Sequence, residues 1–258
     1  MKIATFNVNG ITARLPRLLE WLAETTPDVA CLQELKTSDE TFPVDALKEA
    51  GYGAVWHGQK GFNGVAVLAR GDAPVERRRG LPGDPDDTHS RYLEASAHGV
   101  IVASIYLPNG NPQPGPKFDY KLKWFGRLAE HARTLLESEQ TVVLAGDYNV
   151  VATDEVGDIY SPRSYKDDAL LQPETRAAYR ALLAQGWTDS IQSLHPGKAI
   201  YTYWDYFRNR FPRDAGLRID HLLLNAAGAR RLKEAGVDKA VRAREKPSDH
   251  APTWIVLD

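Results

Sequence analysis

The sequence predicts an α/β fold in which mixed β-sheets are covered by helices in layers. Two observations support this fold class. Short apolar runs rich in β-branched residues alternate with amphipathic helical patterns along the chain. Two successive runs, RYLEASAHG and VIVASIYLP, are typical of a β-hairpin with its turn at His98-Gly99. Because hairpins pair their strands antiparallel, a purely parallel, doubly wound sheet is excluded.

Predicted strands and helices alternate from the start of the chain. The first helix is supported by leucines at helical spacing in TARLPRLLEWLAE, with Pro16 early enough to be tolerated in a first turn. Residues 71–90 are rich in Gly, Pro and Asp and predict a loop. The predicted strands here are residues 2–8, 28–34, 52–58 and 64–70, and the predicted helices are residues 12–24 and 43–51.

The later part of the chain continues the alternation. NGNPQPGP at 109–116 must be irregular because of its prolines and glycines. TVVLAGDYNV at 141–150 predicts a buried strand stopped by Gly146, and a polar loop follows it. YTYWDYF at 201–207 alternates aromatic residues. The remaining predicted helices are residues 118–137 and 173–186, and the remaining strands are residues 217–224 and 251–258.

Length and composition restrict the class of protein. With 258 residues, 43% hydrophobic and 26% charged, the chain is ordinary for a soluble globular protein with one or two cores. No run approaches the roughly 18 apolar residues of a membrane span. The start, MKIATFNVNG, enters a strand pattern at once, so we expect no secretory signal and a cytoplasmic location. The single cysteine, Cys31, excludes an internal disulfide and is expected in the core.

Charge neither proposes nor excludes a nucleic-acid partner. The net charge of −2 does not indicate binding of nucleic acid through bulk charge. Residues 208–218, RNRFPRDAGLR, nevertheless carry a local excess of arginine over acid. A phosphodiester substrate therefore stays open on grounds of charge.

Polar side chains adjoin the ends of the apolar strands, and this pattern carries the functional argument. Asp147 and Asn149 end the strand at 141–150, where a carboxylate and an amide are costly to bury. Residues at i and i+2 share a face of an extended chain, although an Asx-type turn would explain the same pair. Because several strands share the pattern, we expect one polar floor where their ends converge. The other members are Asn7, Glu34, Tyr106, Asn109, Asp220, Asp249 and His250.

The carboxylates in this set fit a magnesium site. Mg²⁺ prefers oxygen ligands and is usually held by one or two carboxylates, so Glu34 and Asp249 are candidate ligands, with Asn7 as a hydrogen-bond partner behind them. Zinc is disfavoured because the chain has no cysteine cluster and no HExxH pattern.

The remaining groups suit hydrolysis of a phosphodiester. Asp147 can take a proton from a water molecule that Asn149 orients. His250 can bind or polarise a phosphate oxygen, and Asp220 would favour its charged form if it reaches the imidazole. Each residue also has a structural interpretation. Glu34 could be a solvated acid, Asp220 could pair with Arg218, His250 could be a loop histidine, and the asparagines of NVNG could form a turn.

Six motifs in order along the chain form a more specific pattern: TFNVNG at 5–10, LQELK at 32–36, YLPN at 106–109, GDYNV at 146–150, GLRIDHLLL at 216–224 and EKPSDHAPTW at 245–254. Together they resemble the exonuclease III family of abasic-site (AP) endonucleases, within the endonuclease/exonuclease/phosphatase superfamily. The resemblance spans the whole chain. It implies a single domain over residues 1–258, built as a four-layer α-β-β-α sandwich of two mixed β-sheets packed face to face with helices outside.

The resemblance also implies an activity. It implies Mg²⁺- or Mn²⁺-dependent cleavage of double-stranded DNA 5′ to an abasic site, with 3′→5′ exonuclease and 3′-phosphatase or 3′-phosphodiesterase activity. The implied partner is duplex DNA with abasic sites or blocked 3′ ends, and neither a membrane nor an oligomer is expected. We therefore expect a monomer in the cytoplasm, associated with the nucleoid through DNA.

Residue by residue, the resemblance assigns a metal site and a set of groups at the scissile phosphate. The implied metal site is Asn7, Glu34 and Asp249. The implied groups at the phosphate are Asp147 to activate water, Asn149 to position it, Tyr106 to contact the phosphate, and the pair Asp220 and His250.

Contacts to the rest of the DNA are predicted from residue type. We expect Tyr203, Leu217 and Ile219 to line a pocket for a flipped baseless sugar, since an apolar pocket too small for a base admits a sugar without one. Alternation places Tyr201 and Tyr203 on one face and Trp204 on the other, in the core. Candidate DNA contacts are Asn109, Lys36, Lys121, Arg208, Arg210 and Arg213, although any of these charges could simply be solvated. Candidate DNA-inserting loops are residues 109–117, 155–168 and 207–216.

Two other functions remain as hypotheses. One is a phosphoesterase for a small or lipid substrate, against which the aromatic and arginine-rich stretch 201–218 and the KPSDHAPTW ending favour DNA. The other is an inactive nucleic-acid-binding module on the same fold, against which the catalytic set is complete.

Overall fold

A computed structural model describes residues 1–258 of the protein. The strands are β1 (Lys2–Asn7), β2 (Val29–Gln33), β3 (Tyr52–His57), β4 (Val65–Arg70), β5 (Val75–Arg79), β6 (Tyr92–Ala97), β7 (Val100–Tyr106), β8 (Val142–Asp147), β9 (Thr188–Asp189), β10 (Asp220–Leu224), β11 (Leu232–Val237) and β12 (Thr253–Leu257). The α-helices are α1 (Ile11–Thr25), α2 (Val44–Glu49), α3 (Pro116–Leu135), α4 (Pro173–Leu183), α5 (Ser190–Leu194) and α6 (Ala226–Arg231). Short 3₁₀ helices span Asp39–Thr41, Pro162–Tyr165 and Lys239–Ala243.

The strands form two six-stranded mixed sheets. The first has the order β11-β12-β1-β2-β4-β3, and the second has the order β5-β6-β7-β8-β10-β9. The pairs β1–β2 and β7–β8 are parallel, and the other pairs are antiparallel. The predicted hairpin is confirmed: β6 and β7 flank His98 and Gly99, which both have positive φ, as a tight hairpin turn requires.

Three apolar clusters hold the layers together. One contains side chains from both sheets, which therefore pack face to face. A second joins the second sheet to α3 and α4, where Leu144 and Trp124 are both buried. The third joins the first sheet to α1 and α2, where the Phe6 and Trp21 rings meet edge to face at 5.7 Å. The four-layer sandwich is thereby confirmed, and each large apolar side chain removed from water contributes about 1.5–3 kcal/mol.

The uniform apolar character of β8 follows from these layers. Val143 and Ala145 face the cluster between the sheets, whereas Val142 and Leu144 face the helices. A strand that is covered on both faces needs no polar alternation.

Strand register brings polar ends together in the second sheet. Asp147 lies opposite Tyr106 of β7 on one side and opposite Asp220 of β10 on the other. The preceding Gly146 allows β7 and β8 to approach, since a Cβ there would lie 1.9 Å from the Ile105 carbonyl oxygen.

The first sheet presents its polar ends at the same place. Asn7 pairs with Gln33 at the ends of β1 and β2, and Glu34 follows immediately. Behind this point, Gln33 Nε2 donates to Ser104 Oγ of β7 at 3.0 Å. This buried hydrogen bond ties the two sheets together directly beneath the converging strand ends.

Predictions failed mainly at exposed or short elements. The predicted loop over residues 71–90 contains edge strand β5, in which every residue is exposed, so it has no apolar alternation to detect. The short or partly exposed elements β9, α5, α6 and β11 carry equally weak patterns and were not predicted. Pro16 lies in the second turn of α1 and not in its first. The other predicted strands and helices are present with shifts of a few residues at their ends, except for the segment at 201–207.

The aromatic segment 201–207 is not an extended strand. Tyr203 makes only isolated bridges, to Leu217 and His250. Tyr201 packs with Trp204, whereas Tyr203 packs beside Leu217. The prediction that Tyr201 and Tyr203 share a face is therefore wrong, because alternation holds only for extended backbone. Trp204 is buried as expected.

Two further expectations can be compared with the structure. Cys31 is fully buried, and burial raises the pKa of its thiol to about 12, which confirms a core residue. None of the helices combines the length and the apolar character that a bilayer crossing requires.

Candidate active site

The converging strand ends form a cleft of about 160 Å³. Most of its lining residues were predicted from the sequence: Glu34, Tyr106, Asn109, Asp147, Asn149, Tyr203, Leu217, Ile219, Asp249 and His250. Tyr165, Asp168 and Leu170 also line it and were not predicted individually, although the first two lie in the candidate inserting loop 155–168. They come from the long polar loop after β8, whose sequence has no pattern that would mark them.

Asp147 lies at the buried centre of the cleft. Its Oδ1 accepts the backbone N–H of Asn149 at 2.9 Å, and its Oδ2 accepts Asn7 Nδ2 at 3.0 Å. The first contact is the Asx turn that the sequence offered as an alternative, so the turn itself positions the carboxylate. Burial raises the pKa of Asp147 to about 7, although the nearby charge of His250 opposes this shift. A carboxylate with a pKa near neutrality is well suited to act as a general base.

His250 and Asp220 form a buried pair beside Asp147. His250 Nδ1 is 2.8 Å from Asp220 Oδ2, and His250 Nε2 is 3.7 Å from Asp147 Oδ2. Burial alone would lower the pKa of His250, but the charge and hydrogen bond of Asp220 raise it to about 10. The imidazole is therefore held as a cation that can face an anionic phosphate. Arg218 is not the partner of Asp220, because it pairs with Asp158 and Asp189 instead.

Glu34 and Asp249 lie on the first-sheet side of the cleft. Glu34 Oε1 accepts Asn7 Nδ2 at 3.0 Å, and Glu34 Oε2 lies 2.7 Å from Lys36 Nζ. Burial would raise the pKa of Glu34, but the hydrogen bonds from Lys36 and Asn7 lower it overall. Asp249 Oδ1 accepts Asn9 Nδ2 at 3.0 Å. Lys36 and Asn7 therefore orient the Glu34 carboxylate, and Asn9 orients the Asp249 carboxylate.

Asn7 connects the two groups of acids. Its Nδ2 donates to both Glu34 and Asp147, and its Oδ1 accepts the backbone N–H of Asn9. In this orientation the amide nitrogen faces the carboxylates, so Asn7 orients them, as the chemical argument from the sequence expects.

Two amides form a second wall of the cleft. Asn149 Nδ2 donates to the Leu107 carbonyl at 2.8 Å, and Asn109 Nδ2 donates to Asn149 Oδ1 at 3.1 Å. Asn149 also has positive φ. The orientation of each amide thus depends on the loop that carries the other.

Lys121 of α3 holds these two loops together from below. Its Nζ donates to the carbonyl of Asn109 at 2.9 Å and to the carbonyl of Asn149 at 2.6 Å. The prediction that Lys121 contacts DNA phosphate is wrong, because its side chain is completely buried. Burial lowers the pKa of its ammonium to about 7.

The three side chains predicted to wall a sugar pocket lie together at the cleft, and the pocket itself stays a prediction. Tyr203, Leu217 and Ile219 all line the cleft, and the Tyr203 ring lies 5.0 Å from the His250 ring, edge to face. Leu170 packs in the same apolar cluster as Leu217 and Ile219. Leu170, from the loop after β8, therefore adds a further apolar side chain to this wall.

Comparison with known proteins now identifies the family. The sequence profile of the endonuclease/exonuclease/phosphatase family matches residues 4–250. The chain belongs to this family. Exodeoxyribonuclease III of Haemophilus influenzae is 35% identical over 98% of both chains. A 3′ phosphatase from Neisseria, NExo, solved with a product DNA hairpin, is 41% identical with a TM-score of 0.94 over 100% of this chain and 99% of that one. An AP endonuclease from Archaeoglobus fulgidus is 35% identical with a TM-score of 0.95 over 100% and 99% of the two chains. The resemblance to exonuclease III proteins is thereby confirmed.

The endonuclease/exonuclease/phosphatase family is metal-dependent, and the cleft offers two donor sets. Ligand atoms of Asp147, Asp220 and His250 lie within 4.8 Å of one another. In that set, His250 Nδ1 is already hydrogen-bonded to Asp220 Oδ2, which leaves only Nε2 of the imidazole as a possible ligand atom. Glu34 and Asp249 supply carboxylate oxygens at the cleft, which fits a hard cation such as Mg²⁺. Glu34 and Asp249 as the metal ligands stay a prediction.

The remaining candidate DNA contacts differ in their exposure. Lys36 forms an ion pair with Glu34, with Nζ 2.7 Å from Oε2. Arg208 and Arg213 are exposed, whereas Arg210 is largely buried with its guanidinium 5.0 Å from the centre of the Tyr165 ring. These contacts to phosphate stay predictions.

Phe207 is a feature that the sequence did not single out. Its side chain is 74% exposed, and it lies at the start of the candidate inserting loop 207–216. Exposed aromatic side chains are the groups on which the bases of single-stranded nucleic acids stack.

Proposed function

We propose that this protein is a metal-dependent DNA-repair nuclease of the exonuclease III type. It is a hydrolase that cleaves duplex DNA 5′ to abasic sites and removes 3′ nucleotides and 3′-phosphate blocks. The observation that carries this proposal is the buried carboxylate of Asp147, which lies between the His250–Asp220 pair and the Glu34–Asp249 pair in one cleft.

Each group has a role in hydrolysis of a phosphoester. Asp147 takes a proton from the attacking water, which Asn149 orients through its amide. The protonated imidazole of His250 donates toward a phosphate oxygen, and Asp220 keeps it charged. Mg²⁺ held by Glu34 and Asp249 would offset negative charge on the phosphate and the leaving oxygen. Tyr106 completes the contact to the phosphate.

The substrate is inferred from relatives and from the pocket. The Neisseria relatives are named a 3′ phosphatase and a 3′-5′ exonuclease, and the Archaeoglobus relative is named an AP endonuclease. The Tyr203–Leu217–Ile219 wall supports a pocket for a sugar without a base. The names of the two Neisseria relatives favour 3′-end processing as a second candidate for the main activity.

Cleavage of an end-labelled duplex carrying one abasic-site analogue tests the proposal. We expect a single cut on the 5′ side of the analogue in Mg²⁺ and none in EDTA. A ladder from the 3′ end, or release of a 3′-phosphate without internal cutting, would make 3′-end processing the main activity. A duplex that stays intact in both Mg²⁺ and Mn²⁺ would contradict the proposal. Release of phosphate from inositol phosphates would then favour a small-molecule phosphoesterase, and DNA binding without cleavage would favour an inactive module.

Replacement of Tyr203 by alanine tests the pocket. We expect abasic-site cleavage to fall by about tenfold or more, because the loss of a large aromatic wall removes contacts worth at least 1–2 kcal/mol. Removal of a 3′-phosphate should fall much less, since that reaction extrudes no sugar. Steady-state rates on the two substrates measure the difference. Equal loss in both reactions would assign Tyr203 to packing alone.

Replacement of Lys121 by methionine tests the support beneath the two amides. Met has a similar length but cannot donate to the carbonyls of Asn109 and Asn149, so we expect kcat to fall by about 10–100-fold with a smaller change in KM. The free energy of unfolding should change by less than the activation free energy for kcat does, because a buried charge is removed together with its hydrogen bonds. Lys123→Met is the matched control, since Lys123 is exposed on the same helix. A K121M enzyme with the kcat of the control would rule out this role.

The organisation of the chain follows the same proposal. We infer that residues 1–258 act as one domain, because Asn7 of the first sheet donates a hydrogen bond to Asp147 of the second sheet at the cleft. A monomer in the cytoplasm, near the nucleoid, stays the prediction for a protein that acts on DNA.

A further inference from the structure

A second groove lies next to the active-site cleft. It has a volume of about 360 Å³ and is formed by two loops, residues 205–212 and 242–247. We call it the arginine groove after three of its lining residues, Arg210, Arg242 and Arg244. Tyr206, Phe211 and Ala243 also line the groove.

Arg242 has an unusual environment for a buried charge. Its side chain is only 7% exposed, and its guanidinium lies 4.9 Å from the Tyr206 ring centre and 5.2 Å from the Phe211 ring centre. Of its five N–H donors, only one on Nη2 meets an acceptor, the Trp204 carbonyl at 3.0 Å. Nε is buried and has no hydrogen-bond partner. The carboxylates of Asp249 and Asp205 act on the group through their charge but form no hydrogen bond with it.

Such an arrangement costs free energy unless a ligand completes it. Buried charges in proteins are normally paired, and aromatic faces offset only part of the cost. Burial lowers the pKa of Arg242, which is consistent with a guanidinium that lacks a close anion. An anion in the groove would supply both the missing charge and the missing acceptors.

The neighbouring charges favour an anion as well. Arg210 has no ion pair and is held by stacking on Tyr165. Arg244 is already neutralised by Glu20 and Glu24. Asp205 is the acid of the groove, and its Oδ1 accepts the backbone N–H of Phe207. The groove is therefore lined by two arginines that have no ion-pair partner, Arg210 and Arg242, and by one acid, Asp205.

Hydrogen bonds connect the loops of the groove to residues at the active site. The backbone N–H of Trp204, which precedes the groove loop, donates to the Asp249 carbonyl at 2.8 Å. Tyr206 OH donates to the Pro247 carbonyl at 2.9 Å and accepts Asn9 Nδ2 at 3.3 Å. A strand whose scissile phosphate lies at Asp147 could therefore continue into the groove. We propose that the arginine groove binds a backbone phosphate of the DNA away from the cleaved bond, with Arg242 and Arg210 as its cationic contacts. This inference rests on the proposed DNA substrate.

A charge placed in the groove tests this site without touching its buried part. Ala243 is exposed, so Ala243→Glu should add a carboxylate and leave the Arg242 packing intact. In an Asp147→Asn background, we expect the Kd for a duplex to rise about tenfold at low salt, as loss of one charge-assisted contact predicts. The slope of log Kd against log salt should fall in magnitude by about one. In the active enzyme KM should rise while kcat at saturating DNA stays unchanged. Ala181→Glu, an equally exposed site on α4, is the matched control and should change none of these values.

A second variant tests Arg242 itself. Arg242→Met should weaken DNA binding and reduce the salt slope, and Arg242→Lys should restore part of both, because lysine keeps the charge. Thermal unfolding of each variant shows whether the loop has loosened. Weaker binding by R242M that R242K does not restore, together with an unaffected A243E, would make Arg242 a packing residue and overturn the proposal.

The outcomes separate the groove from the proposed function. If the wild-type enzyme neither binds nor cleaves duplex DNA, the proposed function fails. If it cleaves DNA but A243E behaves like A181E, the groove proposal alone fails. Adding inorganic phosphate to the wild-type enzyme tests whether the groove binds free phosphate instead of a DNA phosphate. Stabilisation of the wild type by millimolar phosphate, with no effect of A243E on DNA affinity, would assign the groove to free phosphate and overturn the DNA assignment.

Discussion

Asp147→Asn is expected to lower kcat for DNA cleavage by about 10³-fold, while the Kd for DNA changes less than about threefold. The substitution keeps the size of the side chain and the acceptor for the Asn149 N–H, but it removes the base that takes the proton from water. General-base catalysis is worth about 10²–10⁴ in rate, or roughly 3–5 kcal/mol of activation free energy. Because Asp147 is completely buried, it offers little surface for contact with the DNA backbone.

Single-turnover cleavage and fluorescence anisotropy on the same duplex measure the two quantities separately. Asp72→Asn, in an exposed loop, serves as the control for the loss of one negative charge. A parallel loss of binding and turnover would show that Asp147 supports the substrate and does not act as the base.

Loss of the metal site is expected to have an effect of similar size. We expect enzyme treated with EDTA to be inactive and to recover with Mg²⁺. Glu34→Gln and Asp249→Asn should each raise the Mg²⁺ concentration for half-maximal rate by at least about tenfold. Each variant replaces a carboxylate by a neutral amide and so loses one negative charge that attracts the cation. Asp220→Asn should instead lower kcat and leave the affinity for the ion within about twofold, because its role is to keep His250 protonated.

Direct titration of Mn²⁺ binding, followed by electron paramagnetic resonance, measures affinity independently of turnover. The two candidate donor sets predict opposite results. If Asp220→Asn abolished Mn²⁺ binding and Glu34→Gln did not, the ion would belong to the Asp147–Asp220–His250 set, and the roles given to those residues would have to change.

The layered fold and most of the site could be predicted because both leave local signals. Apolar runs such as VVLAG mark strands covered on both faces, and leucines at helical spacing mark α1. The polar residues at the ends of these strands indicate where the strand ends meet. In the structure, Asp147 lies directly opposite Tyr106 on one neighbouring strand and Asp220 on the other. Edge strand β5 gave no such signal because solvent covers all of its side chains.

Other parts of the site depend on contacts that no local pattern encodes. Lys121 has the sequence context of a surface lysine on an amphipathic helix, yet α3 packs so that its ammonium lies beneath the Asn109 and Asn149 carbonyls. Leu170 enters the pocket from a loop without periodicity. Tyr201 and Tyr203 pack in different apolar clusters because the backbone turns between them, whereas the predicted alternation of side chains requires an extended backbone.

The sequence by itself determined the family, the strands and helices with strong periodicity, and the chemical types gathered at the strand ends, because these depend on neighbours a few residues apart. The tertiary structure alone decided which groups touch. Asn7 and Asp147 are 140 positions apart in the chain, and their 3.0 Å hydrogen bond exists only because the two sheets pack face to face. The same packing pairs His250 with Asp220 and leaves Arg242 buried without an anion. Distances of this kind are set by the sum of many core contacts, and no single segment of the chain contains them.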